Sequence, residues 1–564
     1  MSPLRGLRIR PYTIKHLLIM KKLKLPIFIL ASLLILSSLV SNYFEITKNL
    51  EIFNNIYREL EKSYVEKLNP GELMEKTIDN MLNTLDPWTV YIPESEVEDY
   101  RERSITGEYG GIGSKIRKVD NYVVIAEPFQ GSPADKANLK IGDNIIEING
   151  EKMIDLGTED VSELLRGSPG TNVQITLKSP EGNIKSVDIT REKIQTKTVP
   201  HYELLINNTA YIKLSQFKRK SAKEVENALV ELDSLSDGQL NGLILDLRNN
   251  PGGLLRECLQ IVNLFVPKND TILTAKGKNA SWNKTYVTKK NALYENLPVV
   301  VLINENSASA SEIVAGCLQD LDRGLVLGRT SFGKGLIQQN QKLAYNTQLK
   351  LTVAKYYTPS GRCIQNSHTD QKGKRKNIED SLRSVFTTNN GRTVYGGGGI
   401  NPDIEMRKLE RPEIVFSLIK DNHIFKFGNL LFPTIDFPES PKEFKLPIDT
   451  YEKFENYLQE DGFNFSVYSE EIISLLEESL DSEKYLESMK DDIELLKENI
   501  LKNKKEDLIR YKKDINKIIS NDMILRQFYN HGVIEYNLLS DLYIIDAMEI
   551  LEKKVNYSKM LTKE

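Results

Sequence analysis

Cysteine and histidine, the residues that build disulfide frameworks and many metal centres, are scarce in this chain. Its 564 residues include three cysteines and five histidines, and the histidines lie far apart. These numbers are too small for a disulfide framework or a cysteine-rich zinc site, so we predict neither a metal nor another cofactor. Glycine (33 residues) and proline (21 residues) are near average usage, which excludes a collagen-like or low-complexity chain.

An excess of positive charge is also absent. Lys and Arg number 75 against 79 Asp and Glu, which gives a net charge of −4. Seven basic residues and no acidic one lie within the first 24 positions, so the rest of the chain is more acidic than the whole. No broad basic face is left to bind a polyanion, and we predict no nucleic-acid partner.

Long hydrophobic runs are limited to one, at residues 25–40. This run, LPIFILASLLILSSLV, carries no charge and directly follows the basic cluster. It is shorter than the ~20 residues that a membrane span needs, but it is typical of an export signal. We therefore expect residues 1–44 to direct export, either as a cleaved signal or as a retained membrane anchor. Met20, followed by two lysines, is as natural a start of this signal as Met1.

The sequence pattern changes four times along the chain and predicts five segments. After the N-terminus come a helical stretch, short β-type runs, alternating strands and helices, and a highly charged helical part. The segments are the export signal or anchor (1–44), an N-terminal helical segment (45–103), a β-rich domain (104–193), an α/β core (194–410) and a helix-rich C-terminal region (411–564). The predicted fold class is therefore multidomain α/β.

The β-rich domain contains a long motif, GSPADKANLKIGDNIIEING, at residues 131–150. It combines a turn that opens a short helix with a hairpin signal at Asn149-Gly150. The motif resembles the centre of a PDZ domain of the bacterial, protease-attached type. In such domains a glycine-rich loop binds a chain-end carboxylate through backbone N–H groups, and the adjoining strand edge pairs with the peptide. The corresponding residues here are Gly110, Gly111, Ile112 and Gly113. A β-rich linker domain without a ligand is the alternative.

A serine among small residues follows one apolar strand of the predicted core. Residues 298–303 (PVVVLI) lead into NENSASASE, and a helical pattern begins directly after Ser309. Small neighbours allow a sharp turn and the approach of a substrate, while the N-terminal end of the helix favours an oxyanion. Ser309 is therefore the candidate nucleophile.

A lysine, rather than a histidine, is the candidate base for this serine. His201 and His368 do not stand in motif-like contexts, whereas Lys334 lies in SFGKG. A lysine acts as a base only where burial disfavours its charged form, and the glycines and Phe332 suit a tight, apolar place. Gln338, four residues later, is placed to hydrogen-bond the amine. Ser–Lys pairs are a recognised variant of the Ser–His–Asp arrangement.

A second apolar strand, LILDL at residues 243–247, leads into RNNPGG before another helical pattern. The paired glycines leave backbone N–H groups exposed at a helix start. They are therefore candidates for the second half of an oxyanion hole. We expect Asp246 and Arg248 to brace this loop rather than to react.

Four motifs together carry a family resemblance. They are LDLRNNPGG (245–253), NSASASEIVAGCLQD (306–320), GRTSFGKGLIQQ (328–339) and AKYYTPSGRCIQ (354–365). With these motifs the chain resembles, over residues 45–405, the carboxyl-terminal processing peptidases, also called tail-specific proteases. These are serine endopeptidases with a PDZ domain inserted before a ClpP/crotonase-like α/β core. Residues 390–403 (NGRTVYGGGGINPD) are similar to members found in Bacteroidota-type bacteria.

The resemblance implies roles for individual residues and for the whole protein. The implied site consists of Ser309 as nucleophile, Lys334 as general base, Gln338 as its orienting partner, and the amides of Gly253 and Ala310 as oxyanion hole. Gly252 is close enough to be an alternative to Gly253. The implied partners are proteins or peptides with free, apolar C-termini, and the implied location is the periplasm or the inner membrane. The family's N-terminal helices often contribute to assembly, which leaves both a monomer and a homo-oligomer open. Residues 411–564 lie outside the general family pattern, and no function is transferred to them.

Two other functions are weighed against this one. Residues 328–334 (GRTSFGK) fit the first seven positions of a nucleotide-binding P-loop, but Gly335 stands where that loop needs Ser or Thr for Mg²⁺. The other alternative is a non-catalytic PDZ adaptor that only binds tails. It is disfavoured because every catalytic position of the family is occupied.

Overall fold

The structure, a computed structural model, describes residues 43–369, 375–408 and 412–562. The apolar run predicted as an export signal or anchor, residues 25–40, lies outside these ranges. The chain divides into two units, one ending at residue 87 and the other comprising residues 88–564. Within the described ranges we find no helix with the length and apolar character of a membrane span.

The first unit contains two helices. Helix α1 comprises residues 43–63, and α2 spans Pro70–Asn83. The Asn69 side chain accepts hydrogen bonds from the amides of Gly71 and Glu72, and Pro70 occupies a position where no N–H is needed. The apolar row of α1 is exposed and comprises Ile52, Phe53, Ile56 and Leu60.

The second unit begins with a short strand, β1 (Val90–Ile92), and a helix, α3 (Val97–Arg101). Strand β1 pairs antiparallel with residues of a long strand in the core, Gln348–Tyr357. The segment predicted as helical (45–103) therefore also contributes a strand to the core. Three residues are too few for a periodic pattern, so the sequence gives no sign of β1.

The β-rich domain has the strands β2 (Glu108–Gly111), β3 (Ser114–Val119), β4 (Tyr122–Pro128), β5 (Asn144–Ile148), β6 (Glu151–Lys152), β7 (Asn172–Lys178), β8 (Ile184–Thr190) and β9 (Glu192–Gln195), with helices α4 (Pro133–Lys136) and α5 (Thr158–Leu165). An antiparallel sheet has the order β3-β4-β5-β7-β8, and β6 pairs with β5 across the predicted Asn149-Gly150 turn. Strand β3 lies at the edge of this sheet, and the apolar face of α5 joins the same core. Strands β2 and β9, the first and last of the domain in chain order, pair with each other.

The α/β core and its appended hairpins comprise β10 (His201–Leu205), β11 (Thr209–Lys213), β12 (Gly242–Asp246), β13 (Thr271–Lys276), β14 (Lys284–Val287), β15 (Val299–Ile303), β16 (Leu325–Gly328), β17 (Leu336–Lys342), β18 (Gln348–Tyr357), β19 (Ser367–Thr369), β20 (Arg375–Asn377), β21 (Val385–Thr387), β22 (Thr393–Tyr395) and β23 (Ile404–Glu405). The main sheet has the order β10-β11-β12-β15-β16-β23 and is parallel from β11 onward. A second sheet has the order β1-β18-β13-β14, with β17 also paired to β18.

The main sheet is covered on both faces. Helices α6 (Ser221–Leu235), α7 (Leu255–Val262) and α8 (Ala310–Asp320) share one hydrophobic cluster with one face of the strands. Strands β12 and β15 are buried at every position, as expected for parallel strands between two helical layers. The loops that follow β12, β15 and β16 meet at the carboxyl edge of the sheet, where α/β folds place their sites.

The C-terminal region contains the helices α9 (Glu413–Lys420), α10 (His423–Leu431), α11 (Thr450–Glu460), α12 (Tyr468–Ser482), α13 (Leu486–Arg510), α14 (Lys512–Leu538), α15 (Leu542–Glu552) and α16 (Lys554–Met560). Helix α15 packs on the second face of the main sheet, where Ile544, Ala547 and Leu551 cluster with Ile244 and Val300. The region to which the sequence assigned no function therefore supplies the third layer of the α/β core.

Candidate active site

Ser309 stands between β15 and α8, where the chain turns sharply. Its backbone angles are φ 55° and ψ −110°, a conformation that costs a non-glycine residue about 1–3 kcal/mol and persists only where its surroundings enforce it. The Ser307 hydroxyl donates to the carbonyl of Leu247 at 2.9 Å, and the Ala308 amide donates to the carbonyl of Asn250 at 3.0 Å. The loop after β12 therefore holds the Ser309 turn in place.

Lys334 lies in the loop between β16 and β17. Its Nζ donates a hydrogen bond to Gln338 Oε1 at 2.9 Å and lies 5.1 Å from the centroid of the Trp88 ring. Gln338 Nε2 in turn donates to the carbonyl of Trp88 at 2.5 Å, so the amide oxygen is directed at the lysine. Phe332, expected beside the lysine, is 43% exposed and contacts the Trp88 ring edge-on, with 6.4 Å between the ring centroids, so the aromatic surface against the amine is that of Trp88.

The three amides that the sequence offers for an oxyanion hole differ in their hydrogen bonding. The Gly252 N–H donates to Asn250 Oδ1 at 2.9 Å, so it is already committed within the loop. In the adjoining β-bridge, the Phe217 amide donates to the Gly252 carbonyl and the Leu254 amide donates to the Phe217 carbonyl. The Gly253 N–H takes no part in this bridge. Ala310 is the first residue of α8, so its N–H has no acceptor within the helix. Gly253 and Ala310 are therefore the two amides available to an oxyanion.

One cavity of about 480 Å³ connects these groups. Its lining includes Ser309, Lys334, Gln338, Gly253 and Ala310, which the sequence places in three separate motifs. The cavity thus brings together a hydroxyl, an amine and two backbone donors, the set of groups that acyl transfer requires.

Three residues at the site were not identified from the sequence. Trp88 lies outside the four motifs that carry the family resemblance. Tyr356 is fully buried and donates to the carbonyl of Ser309 at 3.3 Å. Glu312 is fully buried and accepts a hydrogen bond from the amide of Ser309 at 2.7 Å. For Glu312 a signal was available, because Ser309-x-x-Glu312 is the pattern of a helix capping box.

The predicted carboxylate loop of the PDZ domain divides into two parts. Gly110 and Gly111 belong to β2 and pair with β9, whereas Ile112 and Gly113 lie between β2 and the edge strand β3. The Gly113 carbonyl accepts hydrogen bonds from the Phe129 amide and from Ser132 Oγ, both at 2.8 Å. The second part of the loop is therefore fixed beside the free edge of β3.

The P-loop alternative does not agree with the structure. A P-loop runs from a strand directly into a helix whose N-terminus binds phosphate. Here β16 is followed by the loop 329–335 and then by the strand β17. No helix directly follows the loop in this described segment. The helix N-terminus that binds phosphate in a P-loop is therefore missing here.

Three family models match the chain. They are Peptidase family S41 at residues 208–373, PDZ domain at 101–178, and Probable PDZ-protease, C-terminal helical domain at 414–551. A carboxy-terminal-processing protease of Bartonella bacilliformis is 35% identical over 344 residues, which cover 60% of this chain and 78% of that protein. The carboxy-terminal processing protease CtpA of Bacillus subtilis is 34% identical over 313 residues, which cover 55% of this chain and 66% of that protein.

Among solved structures, a photosystem II D1 C-terminal processing protease is 26% identical, with a TM-score of 0.35, and the match covers 63% of this chain and 92% of that one. The fold and the family models together define a serine peptidase that carries a PDZ domain. The chain belongs to the carboxy-terminal processing proteases of peptidase family S41, and it is a serine endopeptidase.

Proposed function

We propose that the protein cleaves exported proteins near their C-termini, with Ser309, Lys334 and Gln338 as its catalytic residues. The observation that carries this proposal is the single cavity lined by these three side chains and by the amides of Gly253 and Ala310. Relatives named carboxy-terminal processing proteases support the substrate class.

In the proposed reaction, Ser309 Oγ attacks the carbonyl carbon of the scissile peptide bond, and its proton passes to the neutral amine of Lys334. The N–H groups of Gly253 and Ala310 stabilise the oxyanion of the tetrahedral intermediate. The Lys334 ammonium returns the proton to the leaving nitrogen as the C–N bond breaks. Water, deprotonated by the same lysine, then attacks the acyl carbon, and the lysine gives that proton to Ser309 Oγ as the ester bond breaks. Gln338 orients the lysine amine throughout.

The test compares the wild-type protein with Ser309→Ala and with the control Lys342→Ala, which changes an exposed residue of β17. One unfolded reporter protein with an apolar C-terminus serves as substrate, and fragments are identified by mass spectrometry. We expect Ser309→Ala to lower kcat by at least about 1000-fold, because the nucleophile is lost. Lys342→Ala should cleave like the wild type. Wild-type cleavage by Ser309→Ala would refute the proposed site.

We also propose that the PDZ domain binds the substrate tail along β3. This strand ends its sheet, so an extended peptide can add to it as a further strand. Ile112 and Gly113, at the start of β3, are the part of the predicted loop placed to bind the terminal carboxylate. The match to the PDZ family over residues 101–178 supports this assignment.

Competition between peptides tests the tail-binding proposal. A peptide with an apolar last residue and a free carboxylate should inhibit cleavage of the reporter, because the loop amides bind the negative charge. The same peptide with a C-terminal amide should inhibit at least about tenfold less, since it lacks the charge-assisted hydrogen bonds. Equal inhibition by both peptides would exclude carboxylate recognition by this loop.

Export, membrane attachment and self-association complete the proposal. The basic cluster followed by the apolar run at residues 25–40 supports export to the periplasm with or without a retained anchor. The exposed apolar row of α1 supports assembly into a homo-oligomer. Fractionation of cells that produce the full chain tests export and membrane attachment, and sedimentation of the purified protein tests self-association. A cytoplasmic monomer would contradict them.

A further inference from the structure

Glu312 joins the two loops that carry the proposed nucleophile and base. It is the third residue of α8 and is fully buried. Its Oε2 accepts hydrogen bonds from the amides of Ser309 at 2.7 Å and Lys334 at 2.9 Å. Its Oε1 accepts from Ser331 Oγ and from the Gly333 amide, both at 2.6 Å. One carboxylate therefore holds the backbone N–H groups of both reacting residues.

A capping role explains only one of these four hydrogen bonds. A glutamate at the third position of a helix ordinarily accepts a hydrogen bond from the amide that precedes its own helix. The bond from Ser309 is of this kind. The three bonds from residues 331–334 come from a loop that follows the next strand, and a capping box does not require them. Their geometry indicates a function that connects the two loops.

The free-energy cost of burying this carboxyl group also supports a function that connects the two loops. Burial raises the pKa of Glu312, while the hydrogen bonds from Ser331, Lys334, Gly333 and Ser309 counteract the rise. A neutral side chain of similar shape would avoid the cost of burial, but it could not accept four hydrogen bonds. The strained backbone of Ser309 needs such an anchor, because neighbouring contacts must enforce it.

We propose that Glu312 is a positioning residue, whose carboxylate holds the Ser309 turn and the Lys334 loop at the separation that the reaction requires. The inference rests on the proposed function, because it takes these two side chains as the reacting groups. The Glu312 carboxylate acts through the backbone N–H groups of both loops.

The substitution Glu312→Gln tests this role. An amide nitrogen cannot accept hydrogen bonds, so either orientation of the new side chain sets Nε2 against at least one backbone N–H. We expect kcat to fall by about 100-fold because the reacting groups lose alignment. KM should stay within about twofold of wild type, because the surfaces that bind the substrate are unchanged. The measurement is steady-state cleavage of a reporter peptide, with the folded fraction determined by circular dichroism.

Glu257→Gln is the matched control. Glu257 is also the third residue of a helix, α7, it is also buried, and its Oε2 accepts a backbone hydrogen bond, from Ala222 at 3.1 Å. We expect this variant to lower the melting temperature but to keep kcat per folded molecule within about twofold. An equal fall of kcat in both variants would show a general loss of rigidity and overturn the proposal.

Ser331→Ala provides a second, milder variant in case Glu312→Gln does not fold. It removes one donor to Glu312 and leaves the carboxylate in place, so we expect kcat to fall about tenfold at unchanged KM. Wild-type kcat in whichever of the two variants folds would overturn the proposal. The Ser309→Ala variant, measured in parallel, distinguishes failure of the proposed function from failure of the Glu312 proposal. If it cleaves like the wild type, the proposed function is wrong. If it is inactive, the Glu312 variants test the role of Glu312 alone.

Discussion

At the scale of single residues, the site depends on groups held in unfavourable states. Ser309 has a backbone conformation that a serine does not adopt by itself, and Glu312 is a carboxyl group without access to water. Lys334 contacts an aromatic face and an amide oxygen, both of which are favourable partners for a cation. A base must be neutral, so we expect the binding of substrate to change these contacts before the reaction begins.

Lys334→Arg tests the lysine as a base. A guanidinium keeps the positive charge and the contact with Trp88, but it does not deprotonate in a protein. We expect the melting temperature to stay close to that of the wild type, while kcat falls by at least about 1000-fold because general-base catalysis is lost. Lys342→Arg is the control and should cleave normally. Activity of Lys334→Arg within tenfold of wild type would exclude this role.

At the scale of elements, the loop from β12 to α7 supports the candidate oxyanion hole. Asp246, the last residue of β12, is buried and forms ion pairs with Arg248 at 2.8 Å and with Lys213 at 3.1 Å. The predicted bracing of this loop by Asp246 and Arg248 is thus present. Arg248 also forms an ion pair with Asp541 at 2.8 Å, which connects the loop to the start of α15.

The stability of this loop should depend on pH. Burial alone raises the pKa of Asp246, but the charges of Arg248 and Lys213 outweigh it and hold that pKa well below its ordinary value of 3.8. Because the folded-state pKa is lowered, the carboxylate stabilises the fold above pH 3.8, and this contribution is lost as the pH falls toward the folded-state pKa. The free energy of unfolding should therefore decrease with acidification over this range.

Asp246→Asn should remove that part of the pH dependence. At neutral pH we expect a loss of about 3–5 kcal/mol in the free energy of unfolding, because two largely buried cations, Lys213 and Arg248, each lose a buried anionic partner. Urea denaturation at a series of pH values measures both quantities. Asp449→Asn, which removes an exposed pair with Lys453, is the control and should have a much smaller effect. The assignment would be contradicted if the free energy of unfolding fell as steeply with acidification in Asp246→Asn as in the wild type.

At the scale of the whole second unit, the C-terminal helices connect the PDZ domain to the core. Phe425 of α10 packs in one cluster with Val119, Val124 and Ile141 of the PDZ domain. Arg526 of α14 stacks over the Phe425 ring at 5.1 Å and donates to the Phe425 carbonyl at 2.9 Å. Since α15 covers the main sheet, one helical region contacts both the PDZ domain and the α/β core.

Arg526→Ala should weaken this connection. Arg526 pairs with Asp522, whose pKa is raised by burial, so the substitution leaves a buried carboxyl group without its cation. We expect a loss of about 3–5 kcal/mol in the free energy of unfolding. Amide hydrogen exchange should also increase in α10 and in β4, the PDZ strand that α14 contacts. Lys497→Ala, which breaks an exposed pair with Glu477, should change stability by no more than about 0.5 kcal/mol. Unchanged exchange in β4 would contradict the connection.

Local signals predicted the parts of the fold that depend on neighbouring residues. The Asn149-Gly150 turn has the positive φ angles, 51° and 84°, that its sequence favours. The apolar runs of β12 and β15 and the helix after Ser309 lie where the pattern placed them. Strand β1 was missed because three residues carry no period, and its pairing depends on β18, far away in the chain.

The sequence by itself determined the order of the segments and the types of group that can react, because motifs and hydrophobic periods are properties of adjacent residues. Only the tertiary structure decided how those groups are held. Gln338 and Trp88 are 250 positions apart, yet their hydrogen bond directs the amide oxygen at Lys334. Glu312 became an anchor for two loops because packing removed it from water and left four donors within reach. Burial and hydrogen-bond geometry arise between distant segments, so no local pattern contains them.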